Sequence, residues 1–157
     1  MDVAYQTVSF FYHLSLIVWL GGIITIGFLV APAVFGGLAS RDMAAPIMGR
    51  IHRKFQIVQF FCLMGLLISS MIILKVWENF DPPVVVRYLF IFAMVVSAVF
   101  HTTVVMKRLR LIREQIQSFD KTPESDPKRQ EYSKWHKISV IVTMDILICG
   151  LIVLFLS

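Results

Sequence analysis

The sequence predicts an all-α integral membrane protein: a four-transmembrane-helix bundle whose third and fourth helices extend into a cytoplasmic αα-hairpin. Three observations carry that expectation. The first is composition. Of 157 residues, 57% are hydrophobic and the mean hydropathy is +0.76, whereas soluble domains use about 45–50% apolar residues and could not hide the surplus. The second is segmentation. A membrane-spanning helix needs about 20 mostly apolar residues, and four such runs can be cut, near residues 5–34, 55–77, 84–106 and 138–156. The third is charge placement. Of the 15 Lys and Arg, 13 fall in the first and third connections. In a four-span chain those connections share a side, and the positive-inside rule makes that side cytoplasmic, with both termini outside.

The first run lacks a basic leader and exceeds the roughly 7–15 residues of a signal-peptide core, so it reads as a retained helix. Its "APAVFGGLASRD" end brings Pro32, which removes a helix hydrogen bond, and then Gly36 and Gly37. "SRDMAAPIMGRIHRKF" mixes apolar and basic residues and reads as a short separate helix in the inner interface. After the third run, Leu109, Ile112 and Ile116 keep helical spacing beyond the membrane. Asp126-Pro127 then offers an N-cap and a first-turn proline for the fourth helix. These two extensions make the hairpin, with "DKTPESDP" as its tip, and the whole chain, 1–157, reads as one domain. Trp77, Tyr88, Tyr132 and Trp135 fall near lipid–water boundaries. Cys62 and Cys149 lie within apolar runs and read as free thiols.

The net charge of +5 is explained by membrane orientation and attraction to anionic headgroups, without a nucleic-acid partner. Three ionisable residues lie well inside the spans: His13, His101 and Asp145. Such groups cost at least ~2.5–3.5 kcal/mol to insert, so each is a functional candidate. Helical rise places His101 about 9 Å from Lys107 and Asp145 about 13 Å from His136, at similar depths on neighbouring helices. They are expected to form a buried polar pair. Gly21, Gly22 and Gly27 of the first helix are expected to pack closely against other helices. His13 reads either as a structural hydrogen-bonder or as a haem ligand, which needs its other ring nitrogen held by an acceptor. Eight Met residues raise copper as a further reading, but they show no repeated spacing. No phosphate loop, nucleophile elbow or clustered metal motif is present.

"FYHLSLIVWLGG" with "FLVAPAVFGGL", and "WHKIS" opening the last helix, resembles a domain-of-unknown-function membrane family that includes the transmembrane-205-type proteins. The first-helix "H…W-x-G-G" is similar, more loosely, to HemJ-type protoporphyrinogen oxidases and copper-resistance D-type proteins. The HemJ likeness implies that His13 contacts haem b or porphyrin. That family relies on a lysine early in the third helix, where this chain has Arg87. Arginine can meet a propionate but cannot serve as a base. The combined expectation is a non-catalytic accessory or assembly subunit of a membrane complex, in the bacterial inner (cytoplasmic) membrane. Its partners are the lipid bilayer and other membrane subunits or further copies of itself. The alternatives are a haem- or porphyrin-binding redox protein centred on His13 and a metal-handling membrane protein.

Overall fold

Four long helices, each apolar enough to cross a bilayer, account for most of the chain. The computed structural model describes residues 2–157. The helices are α1 (Val3–Gly37), α2 (Arg41–Val76), α3 (Pro82–Gln115) and α4 (Pro127–Phe155), run up and down in sequence. Each starts for a readable local reason. Asp2 and Ser40 accept from Ala4 N–H and Met43 N–H at the starts of α1 and α2. Asp126 accepts from the amides of Lys128 and Arg129 at the start of α4. Proline sits in the first turn of α3 and of α4, where its missing N–H leaves no bond unmade.

The helices exceed the sequence-derived spans, for two reasons. In α1, the turn Thr25–Val30 widens to π-helix, and Ala31 N–H donates to Ile26 O, one residue farther back than in an α-helix. That shift accommodates Pro32, so the helix passes through it and ends at Gly37. In α2, the expected interfacial helix is not separate. It is continuous with the span despite Pro46, giving a helix of 36 residues, about 54 Å long. Hydrocarbon is only about 30 Å thick, so α2 projects well beyond it at the end rich in basic residues. A second π turn, His101–Val105, lies in α3.

Closest backbone approaches join α1 to α2, α3 to α4 and α1 to α4. Among the described residues no comparable approach joins α2 to α3. The core is filled by side chains from all four helices. Leu16 and Trp19 of α1, Leu66 of α2, Met94 of α3 and Val153 of α4 are fully buried. Glycine permits three tight contacts: a side chain at Gly22 would strike the Phe55 ring, one at Gly150 would strike Leu20, and one at Gly65 would come within 2.5 Å of Ser15 Oγ. Of the glycines expected to pack, Gly22 does so. Gly21 and Gly27 face open space. Gly65 and Gly150, not singled out from sequence, take their place.

Beyond the apolar spans, Ile112, Ile116 and Phe119 form a small second core with Tyr132 and Trp135. The connection 116–126 is tied down there. Asp42 accepts from Ser118 Oγ at 2.6 Å and from Phe119 N–H at 2.8 Å. In return, Asp120 accepts from the amides of Arg41 and Asp42 at the start of α2. Arg113 lies 3.7 Å from Asp42 and over the Phe119 ring. Arg129 donates to the carbonyls of Phe119 and Thr122.

The Ser118 hydroxyl, then the Phe119 amide, hold the Asp42 carboxyl below its ordinary value. A depressed carboxyl pKa stabilises the latch fully above the unfolded value, about 3.9, and that stability fades as pH falls through the lower folded value. Hydrogen exchange at 116–122 should therefore accelerate on acidification into that range. Asp42→Asn should raise exchange there at neutral pH and remove the acid step.

Candidate functional site

Two polar centres lie within the apolar part of the bundle. The first is at the end where both termini emerge, and it is built on Arg87. Arg87 lies one turn into α3 and is only 7% exposed. Its Nη2 pairs with Glu78, just past the end of α2. Its Nη1 donates to Leu156 O at 3.5 Å, at the carbonyl-rich C-terminus of α4. The guanidinium also sits 5.9 Å from the Tyr12 ring of α1 and 5.2 Å from the Tyr88 ring. Tyr88 Oη donates to Ser70 O at 2.7 Å, bridging α3 to α2 where their backbones stand apart. One side chain on α3 thus links α1, the residue just past α2 and the C-terminus of α4. Trp19 Nε1, Ser70 Oγ and Arg87 Nε are buried in the same core with no protein partner.

His13 lies at this level, its ring edge-on to Tyr12 with centroids 5.2 Å apart. Its Nδ1 is 2.7 Å from Ser9 O, one turn back, so that nitrogen carries the proton and donates. Nε2 makes no hydrogen bond among the described residues. A ring held this way is what a metal ligand requires, and equally what a structural histidine achieves. Arg87 Nη2 and Nη1 are engaged by Glu78 and Leu156 O, while Nε has no protein partner.

The second centre is the seam between α3 and α4. The expected His101–Asp145 pair does not form. His101 Nε2 bonds Ser139 Oγ at 2.8 Å, and Ser97 Oγ donates to Asp145 at 2.6 Å. Each residue instead meets a hydroxyl on the other helix. Asp145 itself is exposed on the outside of the bundle. Its other contact is the Cys149 thiol at 3.8 Å. Serines were the missed signal: Ser97 and His101 are one turn apart on α3, and Ser139 stands on the facing helix. His101 also opens the π turn of α3, a distortion that often accompanies functional positions. Among the described residues, no three His, Cys, Asp or Glu side chains converge as a metal site would need. Cys62 and Cys149 are free and buried.

The profile of a family described as Domain of unknown function (DUF4149) matches residues 14–118, about two-thirds of the chain. The chain belongs to the DUF4149 family. The DUF4149 match takes in Asp42, Glu78, Arg87, His101 and Ser118, and stops before the latch residues Phe119 and Asp120. It starts one residue after His13 and stops before Asp145. Comparison with the curated proteins and with the solved structures finds no match.

Arg87→Met should leave the half-buried Glu78 carboxyl with only the Tyr88 hydroxyl, 3.4 Å away, and cost stability by less than the ~3–5 kcal/mol of a fully buried pair. Arg87→Met with Glu78→Leu should recover much of it, because no orphaned carboxylate remains. Thermal unfolding of the two variants in one detergent checks this. Equal loss in both would show that Arg87 acts through the α4 terminus and the tyrosines, not through the ion pair.

Proposed function

We propose that this small membrane protein is a non-catalytic accessory or assembly subunit, a single four-helix domain that docks a partner helix against the outer side of the α3–α4 seam. One observation carries the reading. Asp145 presents its carboxyl to the surroundings of the bundle, near the middle of an apolar span. A carboxylate accepts about four hydrogen bonds. This one receives a single strong bond from Ser97 and a weak one from Cys149. Hydrocarbon offers nothing further, and a polar group there costs several kcal/mol unless another protein surface meets it. A filled core supports the same reading, since Trp19, Leu66, Met94 and Val153 occupy the axis that a solute or substrate would need.

Ile141 and Ile148 are exposed on either side of Asp145 along the same face of α4. A photo-crosslinking amino acid at Ile148 should give a discrete adduct with another membrane subunit or a second copy of the chain. The adduct should fall several-fold in Asp145→Leu and less in Asp145→Asn, whose amide still accepts and donates. Equal protein adducts from exposed Phe61 on α2, or no dependence on Asp145, would defeat the proposal. The haem alternative rests on the free Nε2 of His13, and the same preparation tests it. A stoichiometric Soret band lost in His13→Gln would put it first.

The orientation proposed with this function is that of the cytoplasmic membrane, with the basic end inside and the termini outside. Support comes from 13 of 15 basic residues lying at one end. Lys121→Cys, at an exposed position, should resist an impermeant thiol reagent in intact cells and react after permeabilisation. Labelling of intact cells would reverse the topology.

A further inference from the structure

The outward face of α2 is unlike the α3–α4 seam. Five exposed apolar residues, Ile57, Phe61, Met64, Ile68 and Met71, follow one another at intervals of four, three, four and three. That spacing keeps them on a single stripe. Arg53 continues the stripe at one end and Lys75 at the other, each four residues beyond the nearest apolar member and each exposed. The two cations are separated by about 33 Å along the axis and about 40° around it. Hydrocarbon is about 30 Å thick, so when one cation sits at the headgroup level of one leaflet, the other sits at that of the opposite leaflet. Neither takes part in an ion pair among the described residues.

A shallow groove adjoins each cation, and the two grooves differ. One, of about 530 Å³, is lined by Arg53, Gln56, Ile57, Phe60 and Phe61. It offers a guanidinium, a neutral amide and then an apolar channel running into the membrane, with no carboxylate. Arg50 and Lys54 on the same helix reinforce its positive field. The other, of about 550 Å³, places Glu78 beside Lys75, so its field is mixed.

We infer that the Arg53 groove is a binding site for one anionic phospholipid. The phosphate meets the Arg53 guanidinium, whose planar fork suits phosphate oxygens. Gln56 donates to the headgroup, and an acyl chain lies along Ile57, Phe60 and Phe61. The Lys75 groove holds lipid without preference for headgroup charge. The stripe between them is therefore a lipid face, and protein docking is confined to the other side of the molecule.

The test uses the full chain in phosphatidylcholine vesicles doped with either phosphatidylglycerol or phosphatidylcholine bearing a diazirine in the acyl chain. Crosslinks are mapped by peptide mass. In the segment 57–61, phosphatidylglycerol should label about fivefold more than phosphatidylcholine, the factor expected from one basic residue near the surface. In the segment 71–80 the ratio should be near unity. Arg53→Gln should bring the first ratio close to unity, Arg53→Lys should retain most of it, and Lys54→Gln should change it little. A wild-type ratio near unity at 57–61 would overturn the site. So would a preference that survives Arg53→Gln, or one that Lys54→Gln abolishes equally.

Discussion

A buried positive charge must be surrounded, and in this protein that requirement organises the end of the bundle where the termini lie. Arg87 cannot be left in an apolar core without partners. It finds them around the bundle: a carboxylate after α2, a terminal carbonyl on α4, aromatic faces on α1 and on its own helix. Apolar packing alone would hold α1 against α2 and α3 against α4. It would not by itself bring α2 to α3, whose backbones stand farther apart. Arg87 and Tyr88 cross that space with long side chains. Directional bonds there set a geometry that interchangeable hydrocarbon contacts leave loose, because lipid competes with any apolar helix face.

The opposite end is organised by a different rule. Helix starts leave amide groups without partners, and at α2 those amides are met by Asp120 from a distant connection, while Asp42 meets amides of that connection in turn. Ion pairing fixes one end of the molecule and reciprocal capping the other. Between them, the polar groups of the α3–α4 seam use serine hydroxyls as short bridges. All three devices make polar atoms pair across helices at points where hydrophobic burial gives little direction.

Much of this architecture was legible in the residues. Four spans and their approximate limits follow from hydropathy, because a helix in lipid leaves no other way to satisfy its backbone. Asp126-Pro127 marked the start of α4 correctly, since a cap is a local feature. What was not legible was relational. Arg87 enters only through a family likeness, as the residue standing where a lysine is expected, and nothing in the sequence points to its partner Glu78, which the folded bundle brings to it. His101 and Asp145 were expected to pair from their helical rise alone. Rise does not fix the rotation of a helix, and each met a serine instead. The glycines illustrate the same gap: three in one helix suggested a packing face, yet only Gly22 meets a neighbour, because periodicity cannot say which face the partner will choose. Pro32 suggested a break that the helix absorbs by a π turn.

The latch at the start of α2 also has a temporal side. Arg41 and Asp42 are synthesised long before Ser118, Phe119 and Asp120, with 76 to 79 positions between bonded residues. During translation the first hairpin, α1 with α2, must enter the membrane with the early amides of α2 capped by Ser40 and water alone. Only after the third span has been threaded can the connection beyond it fold back and close the capping set. Closure therefore registers that two crossings, α2 and α3, lie between Asp42 and residues 118–120 and have returned the chain to the side on which α2 began. Had α3 failed to insert, residues 118–120 could emerge on the wrong side of the bilayer and never reach Asp42. The latch would then serve as a topological checkpoint in biogenesis, distinguishing a chain that has completed its third crossing from one that has not.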